Sequence, residues 1–406
     1  MLTLNPRATR TPYPADLAAT MNIARAHESR QWLATWPQMA PTATPLRDLP
    51  DLAARLQVAR LSVKDESVRS PLGSFKALGA PIALVRHVLR LHAGFEPAAI
   101  LAGRYAQQLK DHTVISATDG NHGRGLAAAA RDAGCRCVIV LHAHVSEERE
   151  QAIAQLGAQI VRISGNYDAS VEEAARLARE HGWQVVSDTS YEGYEDIPRD
   201  VMQGYSTIAA EVVEQTAGQR NAPGAFTHVL LQGGVGGLAA GVVSYLWEWQ
   251  GEHRPCFMVV EPEQADCLQQ SALQGRAARA TGSVDSVMAG LACGETSPLA
   301  WRFLQPCVDA FMTVSDEQAV QAMRVLAQGS AHDVPIVAGE SGVAGLAALQ
   351  VLRDDPSLAA RVGLNGQSRV LFISTEGATA PQVYAQLVGE SADAVLQRQQ
   401  AWLAAR

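Results

Sequence analysis

Short apolar runs alternate with amphipathic stretches along most of the chain, and this alternation restricts the possible folds more than any other feature. The apolar runs predict strands at residues 113–117, 135–141, 159–163, 184–187, 228–232, 256–261 and 369–374. The stretches between them predict helices at residues 123–133, 145–156, 170–181, 201–216, 237–249, 316–328 and 341–352. Strands that are continuously apolar are expected in parallel sheets covered by helices on both faces. The sequence therefore predicts an open, doubly wound α/β architecture.

The composition of this 406-residue chain excludes several classes of function. A net charge of −8 argues against a surface for nucleic acid or anionic lipid. No apolar run is long enough to span a bilayer, and residues 1–30 lack the apolar centre of a signal peptide, so we expect a cytoplasmic protein. Neither Cys-x-x-Cys nor His-Glu-x-x-His occurs, so a zinc site is not expected.

Lysine is scarce, which makes the setting of each lysine informative. The only three are Lys64, Lys76 and Lys110, against 33 lysines and arginines in total. Lys76 lies in an uncharged, turn-rich segment, Ser-Phe-Lys-Ala-Leu-Gly, that leads into an apolar helix. A desolvated lysine forms an imine with an aldehyde, whereas arginine does not. A lysine that only faces solvent on a helix is the competing interpretation of this residue.

The strongest glycine signal is the segment Gln-Gly-Gly-Val-Gly-Gly-Leu-Ala at residues 232–239, between a predicted strand and a predicted helix. Such a turn directs free backbone N–H groups and a helix N-terminus at an anion. Gly234, Gly236 and Ala239 also satisfy the dinucleotide pattern G-x-G-x-x-A, and Glu261 ends the next strand, where an acid could hold a ribose. The motif alone therefore predicts either a phosphate monoester or a nicotinamide dinucleotide as ligand.

Polar clusters follow other predicted strands. The loop at residues 116–125 crowds together four polar side chains: Thr118, Asp119, Asn121 and His122. An ordinary turn explains its Asp-Gly-Asn sequence about as well as a binding role does. Two later segments, at residues 338–345 and 372–377, combine glycine with hydroxyl and carboxylate side chains. Because ligands of open α/β sheets collect at the carboxyl ends of strands, both are candidates for the same site.

Several segments together resemble the fold-type-II pyridoxal-phosphate enzymes, and most closely the diaminopropionate ammonia-lyase family. They are residues 64–67 with 74–76, 117–125, 188–194, 202–205, 288–295 and 374–377, in the order the family has them. The resemblance implies two open α/β domains with the active site between them. Residues 1–85 with 220–406 would form the larger, cofactor-binding domain, and residues 86–219 the smaller domain that carries the Asn121 loop. It also implies a homodimer, with pyridoxal 5'-phosphate as cofactor and an amino acid as substrate.

The resemblance assigns roles to individual residues. It implies that Lys76 bonds covalently to the cofactor and that Asn121 binds the hydroxyl of its ring, while Ser374 or Thr375 faces the ring nitrogen. The remaining predicted cofactor contacts are Gly233, Gly234, Val235, Gly236, Gly237 and Glu340. The predicted substrate contacts are Thr118, Asp119, His122 and Asp188.

Asp119 distinguishes this chain from the dehydratases that it otherwise resembles, because those usually carry serine at this position. A carboxylate pairs with the β-ammonium group of 2,3-diaminopropionate and exchanges protons with it. The resemblance therefore implies α,β-elimination of 2,3-diaminopropionate to pyruvate and two ammonia, with Lys76 and Asp119 as the catalytic acid–base groups on opposite faces of the substrate.

Three alternatives stay open on the sequence. The segment that leads to Lys76, and the residues after Gly377, depart from the family pattern, so a serine or threonine dehydratase, or a β-replacement enzyme with the same cofactor, is the first alternative. An NAD-dependent oxidoreductase and a non-catalytic amino-acid-binding protein are the others. Cys267 and Cys293 match cysteines that form a disulfide in the family, but reduced thiols are the expectation in the cytoplasm.

Overall fold

The computed structural model describes residues 1–118, 120–143, 145–165 and 167–406. The strands within these ranges are β1 (Leu2–Leu4), β2 (Leu46–Asp48), β3 (Arg60–Asp65), β4 (Thr113–Ala117), β5 (Arg136–Leu141), β6 (Gln159–Arg162), β7 (Gln184–Val185), β8 (His228–Gln232), β9 (Cys256–Pro262), β10 (Ala310–Val314) and β11 (Arg369–Ser374).

The helices, in chain order, are α1 (Ala15–Thr20), α2 (Ile23–Leu33), α3 (Pro50–Arg55), α4 (Ala80–Leu91), α5 (Pro97–Ile100), α6 (Ala106–Leu109), α7 (Asn121–Ala133), α8 (Glu147–Ala154), α9 (Tyr167–His181), α10 (Asp196–Gln215), α11 (Gly237–Gln250), α12 (Cys267–Gln274), α13 (Pro298–Leu304), α14 (Asp316–Gln328), α15 (Ala344–Asp354), α16 (Pro356–Arg361), α17 (Pro381–Val388) and α18 (Ala392–Ala404). None of them is both long and apolar enough to cross a membrane, within the ranges described.

The strands form two sheets. The larger has the order β1-β10-β9-β8-β11-β3-β2, with parallel pairing at its centre and an antiparallel strand at each edge. The smaller has the order β6-β5-β4-β7 and is entirely parallel. Helices separate successive parallel strands, because a parallel connection requires a crossover. The predicted doubly wound α/β class, in its fold-type-II form, is confirmed.

The order of strands also locates the binding site. In the larger sheet β8 and β11 are neighbours, although the chain leaves β8 for β9 on the opposite side. In the smaller sheet β4 lies between β5 and β7, so the chain again reverses its direction of winding. A crevice forms at the carboxyl ends of the strands at such a reversal, because the loops diverge there. Three of the four predicted polar and glycine-rich segments follow β4, β8 and β11, and the fourth, at residues 338–345, follows α14.

All seven predicted strands are present, but the sequence interpretation missed β1, β2, β3 and β10. The two edge strands have three residues each, too few to show a pattern. β3 ends with Lys64 and Asp65, charges that disguise a fully buried strand. Lys64 is buried because its ammonium donates to Glu211 Oε2 at 2.6 Å, to the carbonyl of Thr44 at 2.7 Å and to Gln215 Oε1 at 3.0 Å. A buried ion pair therefore accounts for this lysine, which had no role on the sequence alone.

The helix predicted at residues 341–352 begins instead at Ala344. A side chain at Gly339 would lie 2.5 Å from the carbonyl oxygen of Gly377, so the preceding segment is held against the end of β11 as a loop. A capping box at Ser315 and Gln318 begins α14, with both of its hydrogen bonds present. The predicted domain boundaries, residues 1–85 with 220–406 and 86–219, stay a prediction.

The C-terminal helix α18 is amphipathic and packs on the body of the protein through part of its apolar face. Val395 is fully buried in the core, and the Gln399 amide donates to the carbonyl of Pro335 at 2.8 Å. Leu396 and Leu403, however, stay exposed, so only part of the apolar pattern is used in this contact.

Candidate active site

A pocket opens between the two sheets, at the carboxyl ends of their central strands. From the larger sheet come the glycine loop after β8, the end of β11 and the turn that holds Lys76. From the smaller sheet come the loop after β4 and the segment after β7. The fold therefore brings together most of the residues that the sequence singled out.

Lys76 lies in a 3₁₀ turn, Phe75–Leu78, which packs closely against α10. Gly204 of α10 permits this approach, since a side chain there would lie 2.0 Å from the carbonyl oxygen of Leu78. The rings of Phe75 and Tyr205 flank the ammonium group, with centroids 5.3 and 5.7 Å from Lys76 Nζ. Lys76 is thus held in a fixed, largely apolar setting at the edge of the pocket.

Asp188, which follows β7, forms an ion pair with Lys76 across the pocket, with 2.5 Å between Oδ2 and Nζ. Burial by itself would lower the pKa of Lys76, but attraction by the Asp188 carboxylate holds that pKa above its ordinary value. Burial would likewise raise the pKa of Asp188, but Lys76 and then His122 hold it below its ordinary value. The pair therefore favours a protonated amine beside an ionised carboxylate.

The loop after β4 is fixed by its own hydrogen bonds. Thr118 Oγ1 accepts from the backbone N–H groups of Gly120 and Gly123, at 3.2 and 3.3 Å. His122 Nε2 lies 2.8 Å from the carbonyl oxygen of Val186, and its Nδ1 lies 3.8 Å from Asp188 Oδ2. Thr118 and His122 are both buried and face the pocket. The predicted catalytic and substrate-binding residue of this loop, Asp119, lies outside the described residues.

The glycine loop after β8 forms a cradle of backbone. Gly234, Val235, Gly236 and Gly237 line the pocket, and α11 begins at Gly237 with its N-terminus facing the site. Gly236 has φ +102°, a conformation that favours glycine. A side chain at Gly234 would lie 3.2 Å from Cys293 Sγ and from the carbonyl oxygen of Gly290. The loop can therefore present N–H groups to an anion without side chains in the way.

Two predicted cofactor contacts, Gly233 and Glu340, lie behind the wall of the pocket. Gly233 is packed against β9, where a side chain would lie 2.7 Å from Val259 Cγ1. Glu340 is buried and accepts a hydrogen bond from Arg149 at 2.8 Å. Burial, followed by the nearby charge of Glu376, raises the pKa of Glu340 to about 7 against the opposing effect of Arg149. Ser374 is fully buried at the end of β11, whereas Thr375 lines the pocket.

Sequence reasoning missed several residues that line the pocket. Arg124, Arg149, Tyr205 and Glu376 all face it. Tyr205 and Glu376 lie within segments that resemble the family, and Arg124 lies within the Asn121 loop, so their positions were visible although their roles were not. Arg149 is on α8, and nothing in the sequence around it points to a site.

Glu261 does not serve the site that the dinucleotide pattern suggests. Its side chain is fully buried and accepts from the N–H groups of Leu268 and Gln269, at 2.7 and 2.8 Å, at the start of α12. Burial raises its pKa to about 8, with these two hydrogen bonds opposing the shift. Glu261 therefore caps a helix and does not face the pocket.

Cys267 and Cys293 both lie beside the glycine loop. Cys267 Sγ lies 3.5 Å from the carbonyl oxygen of Gly234, and burial raises the pKa of this thiol. The expectation that Cys267 and Cys293 are reduced stays a prediction. The described residues include no cluster of three or more histidine, cysteine or acidic side chains that could hold a metal ion.

Comparison with known proteins gives the family. Residues 38–376 match the family model described as "Pyridoxal-phosphate dependent enzyme". The chain belongs to the pyridoxal-phosphate dependent enzymes. This pyridoxal-phosphate enzyme is 40% identical to the diaminopropionate ammonia-lyase of Escherichia coli over 358 residues, which cover 87% of this chain and 88% of that protein. A biosynthetic L-threonine dehydratase of E. coli is 27% identical over 311 residues, which cover 77% of this chain and 52% of the dehydratase.

The fold agrees with the same family. The crystal structure of the E. coli ammonia-lyase, in complex with an aminoacrylate–PLP azomethine reaction intermediate, superposes with a TM-score of 0.84 and 36% identity, covering 96% of each chain. Fold, cofactor family and enzyme class therefore agree with what the sequence predicts for this pyridoxal-phosphate enzyme.

The pocket of the pyridoxal-phosphate enzyme fits this cofactor. The glycine cradle matches a phosphate group, and Lys76 offers an amine for the aldehyde. Ser374 Oγ is buried and has no hydrogen-bond partner among the described residues. An unpaired buried hydroxyl costs about 1–3 kcal/mol, which a ring nitrogen would recover. These three observations are independent of the comparisons.

Proposed function

We propose that the protein eliminates both amino groups of 2,3-diaminopropionate, with water as co-substrate, to give pyruvate and two molecules of ammonia. The observation that carries this proposal is the extent of the similarity described above. It spans nearly the whole of the ammonia-lyase but only about half of the threonine dehydratase. The polar character of the pocket supports the same choice, because a diamino acid brings a second positive charge that carboxylates can bind.

Lys76 is the proposed point of covalent attachment and the base on one face of the substrate. Its amine must lose a proton before it can react, and Asp188 Oδ2 is the acceptor hydrogen-bonded to it. The bound cofactor supplies an electron sink for the charge left when a proton leaves the α-carbon. We assign the proton on the opposite face to Asp119, as the family resemblance implies.

The remaining predicted residues bind and orient. The N–H groups of the loop at residues 234–237 would hold the phosphate. Asn121 would donate to the hydroxyl of the ring, and Ser374 to its nitrogen. Thr118 and His122 stiffen the loop that would receive the carboxylate of the substrate, through the hydrogen bonds described above.

A substrate comparison tests this function. The purified protein, saturated with pyridoxal phosphate, is incubated with 2,3-diaminopropionate, L-serine or L-threonine, while keto acid and ammonia are measured. We expect diaminopropionate to be the best substrate and to give two ammonia per pyruvate, whereas serine would give one. Faster turnover of serine or threonine would overturn the proposal in favour of a dehydratase. A protein that stays colourless after cofactor is added would overturn it altogether.

Asp119 provides a matched test of specificity. Asp119→Ser introduces the residue that dehydratases usually carry, and Asp119→Asn keeps the shape of the side chain without its charge. Because a general acid–base group is typically worth about 10²–10⁴-fold, we expect losses of this order with diaminopropionate in both variants. Unchanged cofactor binding in both would separate this effect from damage to the site. Retention of full activity by Asp119→Asn would remove the carboxylate from the mechanism.

We also propose that the protein is a cytoplasmic homodimer. The dimer rests on the family resemblance, and the location is the expectation stated in the sequence analysis. Sedimentation velocity of the holoenzyme measures its oligomeric state, and fractionation of cells measures its location. A monomer at micromolar concentration, or recovery outside the cytoplasm, would contradict it.

A further inference from the structure

Glu376 stands where the two sides of the active site meet. It follows β11, and its backbone is tied to the segment that precedes Lys76. The carbonyl of Thr375 accepts from the N–H of Phe75 at 2.9 Å, and the N–H of Gly377 donates to the carbonyl of Gly73 at 2.9 Å. Glu376 itself forms an isolated β-bridge with Ser74. The backbone of Glu376 is therefore fixed relative to Lys76.

The side chain of Glu376 reaches in the opposite direction, to the smaller sheet. Its Oε2 accepts a hydrogen bond from the Asn121 side-chain amide, and its Oε1 accepts from the N–H of Ser341 at 3.1 Å. Both oxygens are acceptors, which is the pattern of an ionised carboxylate. Glu376 is only 4% exposed, although it lines the pocket.

The contact with Glu376 determines how the Asn121 amide is oriented. A carboxylate accepts but does not donate, so the amide nitrogen must face it. An amide nitrogen carries two hydrogens, and the bond to Glu376 uses one of them. The second is then available to a ligand in the pocket. Removal of the carboxylate would permit the amide to turn and present its carbonyl oxygen instead.

We propose that Glu376 is a positioning residue: its carboxylate orients the Asn121 amide so that this amide donates to the ring hydroxyl of the cofactor. This inference rests on the proposed function, in which Asn121 binds that hydroxyl. Two arginines also line the pocket, Arg124 and Arg149. Arg149 is paired with Glu340, and Glu376 is the acceptor bonded to Asn121.

The test measures the visible absorbance of the holoenzyme as a function of pH, in wild type, Glu376→Gln, Asn121→Ala and the double variant. The midpoint of this change in absorbance with pH gives the pKa of the imine nitrogen. A donor to the ring oxygen stabilises the deprotonated imine more than the protonated one, because the ring oxygen then carries the fuller negative charge. Glu376→Gln, which frees the amide to turn away, should therefore raise the midpoint by about one unit. In the Asn121→Ala background the same substitution should move it by less than about a third of that, because the residue through which Glu376 acts is absent. Glu376→Asp keeps a carboxylate at this position, so its midpoint should lie close to that of the wild type.

Controls separate this role from a structural one. Glu214→Gln removes a half-exposed carboxylate on α10 and should leave the midpoint unchanged. If Glu376→Gln leaves the midpoint unchanged, or shifts it equally in both Asn121 backgrounds, the inference is wrong, even where thermal stability or cofactor affinity falls. A wild type with no visible band overturns the proposed function and this inference together. A normal titration of the wild type, together with an unchanged midpoint in Glu376→Gln, overturns only the inference.

Discussion

The two sheets contribute to the pocket in different ways. The larger sheet supplies mainly backbone, through a glycine cradle and the end of β11, and its central strands β8 and β11 are almost entirely buried. The smaller sheet supplies polar side chains, from Thr118, His122, Arg149 and Asp188, and its outer strands β6 and β7 are only partly buried. The predicted substrate contacts therefore belong to the smaller sheet, whereas the predicted phosphate cradle and Lys76 belong to the larger one.

Three polar pairs join the two sides across the pocket. Lys76 pairs with Asp188, Arg149 with Glu340, and Asn121 with Glu376. Each pair has one member on the side of each sheet, so neither sheet alone contains a complete site. The predictions below test this division of labour.

Loss of Lys76 should have the largest effect, because it removes the proposed covalent link to the cofactor. Lys76→Ala should lose the visible band of the imine and reduce turnover by more than the 10²–10⁴-fold typical of one acid–base group. The scarcity of lysine provides the control: Lys110→Ala changes an exposed lysine and should have no effect. Borohydride reduction followed by peptide mass spectrometry should place the cofactor on Lys76. Modification of Lys64 or Lys110 instead would contradict the assignment.

Asp188→Asn should have opposite effects on two rates: attachment of the cofactor should become faster and turnover slower. Without the carboxylate, burial dominates and the pKa of Lys76 falls, so more of the amine is neutral at pH 7. We expect faster imine formation with added pyridoxal phosphate at pH 7, but turnover lower by about 10²-fold through loss of an acid–base partner. Stopped-flow absorbance and steady-state assays measure the two rates. Slower imine formation would contradict this expectation, because it would show that the Asp188 carboxylate promotes attachment of the cofactor.

Gly236→Ala should weaken the cradle without changing the chemistry. The left-handed backbone costs a non-glycine residue about 1–2 kcal/mol, and the added carbon would lie 3.0 Å from Leu304 Cδ1. We expect about tenfold weaker cofactor binding, measured by fluorescence titration, and nearly normal turnover at saturating cofactor. Gly389→Ala is the matched control, since Gly389 has φ +94° and nothing within 4 Å of an added side chain. Equal losses of cofactor affinity in both variants would remove the special role of the loop.

As the pH falls, the smaller sheet should lose stability before the larger sheet does, because of a histidine pair. His87 on α4 and His112 before β4 lie 3.0 Å apart at their Nε2 atoms. Burial, followed by His112 and Arg90, lowers the pKa of His87 to about 4, and burial followed by His92 lowers that of His112. Both pKa values lie below the ordinary value of about 6.5. As the pH falls, the unfolded state therefore takes up protons at a higher pH than the folded state does. This contribution to stability is complete above pH 6.5 and is lost as the pH falls towards 4.

Hydrogen exchange measures this effect. At pH 5, corrected for intrinsic rates, protection of β4 should fall relative to pH 7 while that of β8 changes little. His87→Gln should reduce the loss of stability on acidification by at most about 3 kcal/mol. His253→Gln, at an exposed position, should not change it. An equal loss of protection in both sheets would contradict a locally weaker smaller sheet.

Much of the fold was predictable, since continuous apolar runs identify buried parallel strands. Those of β4, β8 and β11 were predicted to the residue. β3 was missed because the charge of Lys64 near its end is neutralised by Glu211, 147 positions away in the chain. The glycine loop, Lys76 and the Asn121 loop were visible because each stands in an unusual local sequence. Arg149 was not, because its surroundings are those of an ordinary surface helix.

The sequence by itself determined the local features of this protein: where strands end, where glycine is required, and which lysine could form an imine. It also determined the family, because the segments that resemble the ammonia-lyases recur in order along the chain. Only the tertiary structure decided the partners of these residues. The pairs of Lys76 with Asp188 and of Asn121 with Glu376 join positions more than a hundred residues apart. Local sequence encodes backbone preference, whereas charge pairing depends on distances that only packing of the two sheets sets.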